Sequence, residues 1–249
     1  MASIDQRKAG ALLLSRLRSH VGIGDDDAAA ILDLPYAVRT LEPLTYLLRE
    51  GEPPHHCPVL IDGFVFRQKA TRNGERAIVA LHIPGDPLDF QSLFLSVADH
   101  NLQVMTRATI AMVGRPVLEE LMRTRPAIAN AVMVSTLVDA SIGREWLLNI
   151  GRRSARERLA HLLCEFACRM EAHGLAPSGD CALPMTQEQL GDALGLTSVH
   201  VNRTLKGLEA EGAIRRDGRR IRFDDWERIR AIADFSPVYL HLDGTPARG

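Results

Sequence analysis

The segment from Met185 to Gly212, MTQEQLGDALGLTSVHVNRTLKGLEAEG, decides the fold of the C-terminal part of the chain. Thr186 and Gln189 have the spacing of a capping box, which predicts that a helix begins there. Gly195 suits the left-handed residue that ends this helix, and Thr197 can cap a second helix. The second helix has one apolar and one polar side. The segment therefore predicts a helix-turn-helix.

The polar side of the second predicted helix can offer hydrogen-bond donors to the base edges of DNA. An ordinary antiparallel helical hairpin with a glycine turn is the alternative for such a segment. The helix-turn-helix is favoured by Gly191, which lets two helices cross closely, and by the apolar positions Leu194 and Val201. The candidate DNA-binding residues in this segment are Thr186, Ser198, Val199, His200, Asn202, Arg203 and Lys206.

A basic hairpin follows the two helices. The stretch from Ala213 to Phe223, AIRRDGRRIRF, predicts two short strands joined at Asp217-Gly218, a strong two-residue turn signal. Its arginines are suited to the phosphates of a duplex, and Arg216 and Arg219 complete the set of candidate DNA-binding residues. The whole region is predicted to be a winged helix-turn-helix.

The first half of the chain has a different pattern. After short predicted helices at 10–20 and 25–34, segments from Arg39 onwards are short and are broken by glycine and proline. The candidate strands are 45–49, 58–62, 63–70, 75–83, 101–106 and 109–113. Asn73-Gly74 between two of them is a hairpin signal. This spacing predicts an antiparallel β-roll, or jelly roll, so the fold class is α+β.

A long apolar helix is predicted to separate the two halves. It begins at Pro126, runs to about Ile150 and is apolar nearly all round between Ala127 and Ile142. Such a helix must be covered on both sides. The β-roll can cover one side and the same helix of a second subunit the other, whereas burial inside a larger single domain is the alternative. We expect a two-fold homodimer.

Asn149-Ile150-Gly151 is predicted to end this helix and to mark a domain boundary. The predicted organisation is a β-roll domain with N-terminal helices (1–125), a dimerisation helix (126–150) and a DNA-binding domain (151–249).

Composition excludes several other classes of protein. The formal net charge of the 249-residue chain is −1, and only 5% of its residues are aromatic, which argues against a stacking surface for single-stranded nucleic acid. The apolar runs look too short to cross a bilayer, and the start of the chain lacks the layout of a signal peptide. We expect a cytoplasmic protein that does not bind membranes. Its four cysteines form no CxxC pair, which predicts free thiols.

The sensor half has one dense cluster of potential ligands, His55-His56-Cys57, with His82 and His100 as further candidates. The alternatives are a polar loop on the surface of the β-roll, a haem or metal site, and a redox-sensing Cys57 thiol.

A β-roll, a long apolar helix and a winged helix-turn-helix in this order resemble one family. It is the cyclic-AMP receptor protein / fumarate-nitrate regulator (CRP/FNR) superfamily of bacterial transcription factors. The resemblance extends from about Leu41 to Phe223 and is most specific at 196–214 and at Pro84-Gly85-Asp86. It implies a homodimer that places two recognition helices in successive major grooves of an imperfect palindrome, and that meets RNA polymerase.

The resemblance also assigns individual roles in DNA recognition. Arg203 falls on the family's recognition-helix arginine, which can bond O6 and N7 of a guanine. Val199 stands where the family usually has glutamate, so a contact to cytosine is lost and the half-site should differ.

The effector pocket departs from the family pattern. Members that bind cyclic nucleotide hold its phosphate with an Arg-Ser or Arg-Thr pair, and by spacing Ala98-Asp99 replaces that pair here. The Asp99 carboxylate would repel a phosphate, and no arginine is expected to replace the lost charge. The candidate pocket residues are Gly85, Asp86, Asp99 and His100. We therefore expect no control by cyclic nucleotide.

The positions of the cysteines bear on a second possible cofactor, an iron–sulfur cluster. Oxygen-sensing relatives carry an N-terminal cysteine cluster for iron–sulfur, whereas no cysteine precedes Cys57 in this chain. The sequence therefore argues against iron–sulfur and leaves haem open.

Three functions compete at this stage. The leading hypothesis is a sequence-specific DNA-binding transcription regulator without enzymatic activity. A metal-dependent cupin-like enzyme with an accessory helical domain is the second, but the sequence lacks an H-x-H pair with a following glutamate at suitable spacing. The third keeps the regulator but drops the sensor, so that abundance or a partner protein controls it.

Overall fold

The computed structural model describes residues 4–177, 180–218 and 220–242. The helices are α1 (Ile4–Arg18), α2 (Asp25–Leu32), α3 (Arg115–Thr124), α4 (Pro126–Arg152), α5 (Ala155–Ala172), α6 (Gln187–Leu194), α7 (Ser198–Ala210) and α8 (Trp226–Ala233). The strands are β1 (Ala37–Leu41), β2 (Tyr46–Leu48), β3 (His56–Asp62), β4 (Val65–Ala70), β5 (Arg76–His82), β6 (Asn101–Val104), β7 (Ala108–Gly114), β8 (Asp180–Ala182), β9 (Ile214–Asp217) and β10 (Arg220–Phe223). Short 3₁₀ turns lie at Phe90–Leu93 and Pro237–Leu240.

The chain forms two compact units. The first comprises Met1–Lys69, Leu81–Ala140 and His241–Gly249, and the second comprises Ala70–Ala80 and Ser141–Leu240. The predicted boundary at Asn149-Ile150-Gly151 differs from this division, in which the units change between Ala140 and Ser141. The helix α4 continues without a break to Arg152. Asn149 is buried and its Nδ2 donates to the carbonyl of Arg158 at 3.3 Å, which keeps the helix ordered through that point.

The β-roll is present as predicted. One sheet has the order β1-β7-β3 and the other the order β2-β6-β4-β5. The pairs of β7 with β1 and β3, and of β6 with β2 and β4, are antiparallel. Apolar side chains at alternating strand positions fill the interior, as the two-residue period of a strand requires. This core consists of Leu60, Val65, Leu88, Leu102, Val104, Ala108 and Ile110.

The N-terminal helices belong to the same unit. α1 begins at Ile4, earlier than the predicted start at Gly10, and its Leu13 and Leu17 join a second buried cluster. That cluster also contains residues of β3 and of the first half of α4, such as Val59 and Ile128. Strand β1 (Ala37–Leu41) was missed by the sequence prediction because none of its residues is buried and two neighbouring residues, Arg39 and Thr40, are both exposed.

The length and composition of α4 are sufficient for a membrane span, contrary to the prediction that no apolar run is long enough. The helix has 27 residues and a mean hydropathy of 1.3 over its most apolar window. The core helix of a soluble protein meets the same criterion, so the finding is weak evidence for a membrane.

The second unit contains the predicted helix-turn-helix and wing. Ser154 begins α5 with a capping box to Glu157. Strands β8, β10 and β9 form a three-stranded sheet in that order.

The start of the C-terminal tail is also ordered, although no structure was predicted for it. Phe235 and Leu240 are buried. The hydroxyl of Tyr239 donates to Oε2 of the buried Glu165 at 2.8 Å, and Nε1 of Trp146 donates to the same carboxylate at 3.0 Å. The hydrogen bonds of Trp146 and Tyr239 to Glu165 join the end of α4, α5 and the tail within one unit.

Candidate DNA-binding surface

The first helix of the helix-turn-helix begins as the sequence predicts. The Thr186 hydroxyl accepts a hydrogen bond from the backbone of Gln189 at 3.2 Å, and the Gln189 side chain accepts one from the backbone of Thr186 at 2.9 Å. The capping box is therefore complete. Thr186 itself is exposed, so it lies at the surface where a phosphate could be met.

The turn between the two helices depends on two glycines. Gly195 ends α6 in the left-handed conformation, with φ 64° and ψ 41°. A Cβ atom on Gly191 would lie 2.4 Å from the carbonyl oxygen of Leu196, closer than side-chain carbons approach an oxygen. Nη1 of Arg158 on α5 donates to the carbonyl of Leu194 at 3.0 Å and so satisfies the end of α6. These contacts fix the direction of the second helix.

The second helix, α7, has the two faces that recognition requires. Thr197 caps it by accepting from the backbone of His200 at 3.2 Å. Val201, Leu205 and Leu208 are buried, while the opposite face points to solvent. On that face Ser198, Val199, Arg203 and Lys206 are exposed, and His200 and Asn202 are half-buried. The structure thus brings six predicted DNA-binding residues onto one helix.

Arg216 of the wing, predicted to bind DNA, forms an ion pair within its own domain. Arg216 lies on the inner face of β9 and its guanidinium pairs with the Glu209 carboxylate of α7. The guanidinium thus ties the wing to the recognition helix. Arg219, the other predicted wing residue, lies outside the described residues.

Two of the wing arginines that the sequence analysis assigned to phosphates face outward. Arg215 and Arg222 stand directly opposite each other on β9 and β10, and both are exposed. Like charges at directly opposite positions destabilise a hairpin. Nη2 of Arg215 lies 3.3 Å from Oδ2 of Asp224, which offsets part of this repulsion. Two exposed guanidinium groups on one face of the wing are a candidate phosphate contact. The signal in the sequence was the alternation of the arginines along two short strands.

A second surface runs along α4. Positions spaced alternately four and three residues apart point away from its buried side. Within the first unit they are Met133, Leu137 and Ala140, and all are exposed. Met133 and Leu137 have exposed fractions of 45% and 58%. This 3.5-residue period is the one with which two helices pack in a coiled coil.

The Gly85-Asp86 turn of the sensor unit has internal partners. Asp86 Oδ2 accepts from the backbone of Ile83 at 2.9 Å, and its Oδ1 lies 3.2 Å from Nε of Arg16 on α1. Both side chains are almost fully buried. Gly85 adopts φ 97°, which favours glycine. This turn therefore anchors the N-terminal helix to the β-roll.

Asp99 and His100 are brought together beside a buried acid. Nδ1 of His100 lies 2.8 Å from Oδ1 of Asp99, and its Nε2 lies 3.6 Å from Oδ1 of Asp89. Burial and the charge of Arg67 lower the pKa of His100, and the carboxylates oppose this shift. The hydrogen bond to His100 lowers the pKa of Asp99, which is therefore ionised at neutral pH.

The charge of one arginine reaches His100. Arg67 on β4 donates from Nη2 to the carbonyl of Leu88 at 2.9 Å, and its charge acts on His100. The sequence analysis did not find this residue because strand pairing, rather than sequence spacing, brings β4 next to the loop before β6.

The residues His55, His56 and Cys57 do not converge. Both histidines are exposed, whereas Cys57 points inward and is 1% exposed. Burial raises the pKa of the Cys57 thiol to about 12, so it is not a reactive thiolate at neutral pH. His82 lies instead beside Asp86, and His100 beside Asp89 and Asp99. Within residues 4–177, 180–218 and 220–242, no group of three or more such side chains could hold a metal ion.

Comparison with known proteins identifies both halves of the chain. Residues 38–125 match the model of the cyclic nucleotide-binding domain, and residues 157–232 match that of the Crp-like helix-turn-helix domain. The transcriptional activator protein FnrL of Cereibacter sphaeroides is 27% identical over 199 residues, which is 79% of this chain and 79% of that protein. The nitrogen fixation regulation protein FixK of Rhizobium meliloti is 28% identical over 203 residues, 80% of this chain and 89% of that protein.

The structural comparison agrees. The solved structure of FixK2 from Bradyrhizobium japonicum has a TM-score of 0.74 and 27% sequence identity to this chain. It covers 80% of this chain and 98% of the FixK2 chain.

A β-roll joined to a winged helix-turn-helix, with a polar recognition helix and a basic wing, defines a DNA-binding transcription regulator and not the cupin-like enzyme considered above. The chain belongs to the CRP/FNR family.

Proposed function

We propose that the protein acts as a cytoplasmic homodimer that inserts two copies of α7 into an imperfect DNA palindrome, without control by cyclic AMP. The observation that carries this proposal is the division of α7 into a buried face, with Val201 and Leu205, and an exposed face that carries Arg203. A recognition helix needs this division, because it must be held by its own domain and still reach base edges.

Different residues serve specificity and affinity in this proposal. Arg203 reads a guanine through two parallel hydrogen bonds, and Ser198, His200 and Asn202 bond neighbouring base edges or phosphates. Thr186 and Lys206 bond phosphate oxygens. Arg215, Arg222 and Arg219 of the wing add phosphate contacts that carry no sequence information. Arg216 acts indirectly, because its bond to Glu209 holds the wing at a fixed angle to α7.

The stripe on α4 supports the dimer. An exposed apolar stripe with a period of 3.5 residues has a natural partner in a second copy of itself. A two-fold axis along the paired helices would set the two recognition helices in successive major grooves, about 34 Å apart.

The carboxylate of Asp99 supports the absence of cyclic-nucleotide control. The hydrogen bond to His100 lowers its pKa, so it is ionised where cyclic-nucleotide-binding members of the family carry the Arg-Ser or Arg-Thr pair. A cyclic phosphate entering there would be repelled by this carboxylate. The abundance of the protein or a partner protein would then set its activity. The relative FnrL is described as an activator, which supports contact with RNA polymerase.

Electrophoretic mobility shift over a salt series tests the proposal. Arg203→Ala should reduce binding to a preferred site by about 2–6 kcal/mol, which corresponds to one bidentate base contact in each half-site, and should hardly change binding to random DNA. Arg222→Ala should weaken all DNA about equally and reduce the slope of log affinity against log salt by about two, one phosphate contact per subunit. Equal binding of specific and random DNA by the wild type and by Arg203→Ala would contradict the proposal.

A further inference from the structure

One side chain on the recognition helix does not fit a purely polar surface. Val199 is 79% exposed, whereas Val201 and Leu208 of the same helix are fully buried. Val199 is the only large hydrophobic residue of α7 that is exposed, and this whole helix lies in the described part of the chain. Exposing a branched apolar side chain in water brings no stability to the domain, and it leaves Val199 accessible to a partner of this helix.

The position of Val199 is that of a base reader. It lies in the first turn of α7, two residues after the cap Thr197, and the N-terminal residues of a recognition helix are those that contact base edges. Arg203 follows four residues later, so both side chains project from the same face of the helix. They are separated by about 6 Å along the helix axis, which places them over neighbouring base pairs.

Only one apolar group is available to Val199 on the base edges of the major groove. This group is the C5 methyl of thymine, whereas the other edges present donors and acceptors that an isopropyl group cannot satisfy. No acidic side chain lies in the first turn of α7 to accept a hydrogen bond from cytosine.

We infer that Val199 selects a pyrimidine that carries a C5 methyl group, thymine in unmodified DNA, close to the guanine bonded by Arg203. This inference rests on the proposed function, since it concerns the base that one position of the recognition helix prefers.

The size of the effect follows from the area buried. Covering one methyl group contributes a factor of about four in affinity. A dimer makes the contact in both half-sites, so loss of both methyl groups should weaken binding by about fifteenfold. Substitution of uracil for thymine removes the methyl group and leaves base pairing unchanged.

The experiment begins with selection of a preferred site from random duplexes by the full-length wild type. Each thymine of the half-site is then replaced by uracil in both half-sites. At the position that responds, cytosine and 5-methylcytosine are also compared. We expect a loss of about fifteenfold for uracil at one position, and tighter binding of 5-methylcytosine than of cytosine by a similar factor.

Two variants separate the role of Val199 from general effects. Val199→Ala should bind the thymine and uracil duplexes equally and keep its dependence on Arg203. Val238→Ala is the matched control, because Val238 is 76% exposed but lies in the C-terminal 3₁₀ turn. It should discriminate as the wild type does. Both sites are exposed, so circular dichroism should show unchanged folding.

The outcomes distinguish the inference from the function on which it rests. Specific, Arg203-dependent binding without discrimination between thymine and uracil at any position would overturn the inference alone. The same holds if Val199→Ala retains full discrimination. If the wild type selects no preferred site, the proposed function itself fails.

Discussion

The guanidinium of Arg216 in the wing pairs with the carboxylate of Glu209 near the end of the recognition helix. Both side chains are mostly covered, with exposed fractions of 20% and 29%. The pair joins the element that reads bases to the element that carries phosphate-binding arginines. Its main consequence should therefore appear in DNA binding.

Removing this pair should weaken binding to every DNA sequence. In Glu209→Gln the wing loses its fixed angle to α7, and we expect a several-fold loss of affinity for specific and random duplexes alike. The free energy of unfolding should fall by less than about 1 kcal/mol, since the pair is near the surface. Fluorescence anisotropy with both duplexes measures the first effect and urea unfolding the second.

The same variant has a defined pH dependence. The hydrogen bond from Arg216 lowers the pKa of Glu209 below its usual 4.5. The pair therefore contributes stability above pH 4.5, and this contribution is lost as the pH falls through the lowered pKa. The stability difference between wild type and Glu209→Gln should be present at pH 7 and vanish in acid. A difference that grew in acid would contradict this assignment.

The close approach at Gly191 predicts opposite effects for two glycine substitutions. In Gly191→Ala the new Cβ atom would meet the Leu196 carbonyl at 2.4 Å, so the backbone must shift at a cost of about 1–3 kcal/mol. In Gly207→Ala on α7 the new Cβ atom meets nothing within 4 Å, and we expect stabilisation by about 0.5–1 kcal/mol. Thermal unfolding compares them. Equal behaviour of the two variants would refute the turn geometry.

Local features of the sequence predicted the recognition elements well. The caps Thr186 and Thr197 and the left-handed Gly195 act within a few residues, so their spacing alone is informative. Arg67 beside His100 was not predictable in this way, because the contact depends on which strands pair. Asn149 looked like part of a helix break, but a long-range bond to the Arg158 carbonyl keeps it helical.

Tyr239 was not predictable either, because its partner Glu165 lies 74 residues earlier in the chain. Tyr239→Phe leaves the buried Glu165 carboxylate with one donor fewer, which should destabilise the second unit by about 1–3 kcal/mol. Urea unfolding should show a loss of stability for Tyr239→Phe. Unchanged stability would mean that the hydrogen bond from Tyr239 to Glu165 does not stabilise the second unit.

The stripe on α4 predicts how the dimer can be broken. Leu137→Lys places a charge at the centre of the stripe and should shift the protein from dimer to monomer, because a charge buried at a coiled-coil seam is costly. Val238→Lys introduces the same charge at an exposed apolar position outside α4 and should remain dimeric. Sedimentation velocity over a concentration series measures both. A dimeric Leu137→Lys would contradict the proposed interface.

The central claim is that two copies of α7 read one palindrome. Selection of binding sites from random duplexes, followed by footprinting on the preferred site, tests it most directly. We predict inverted half-sites with centres about 10–10.5 base pairs apart and a guanine in each whose preference is lost in Arg203→Ala. A preferred site without inverted symmetry, or one that Arg203→Ala selects unchanged, would contradict the claim.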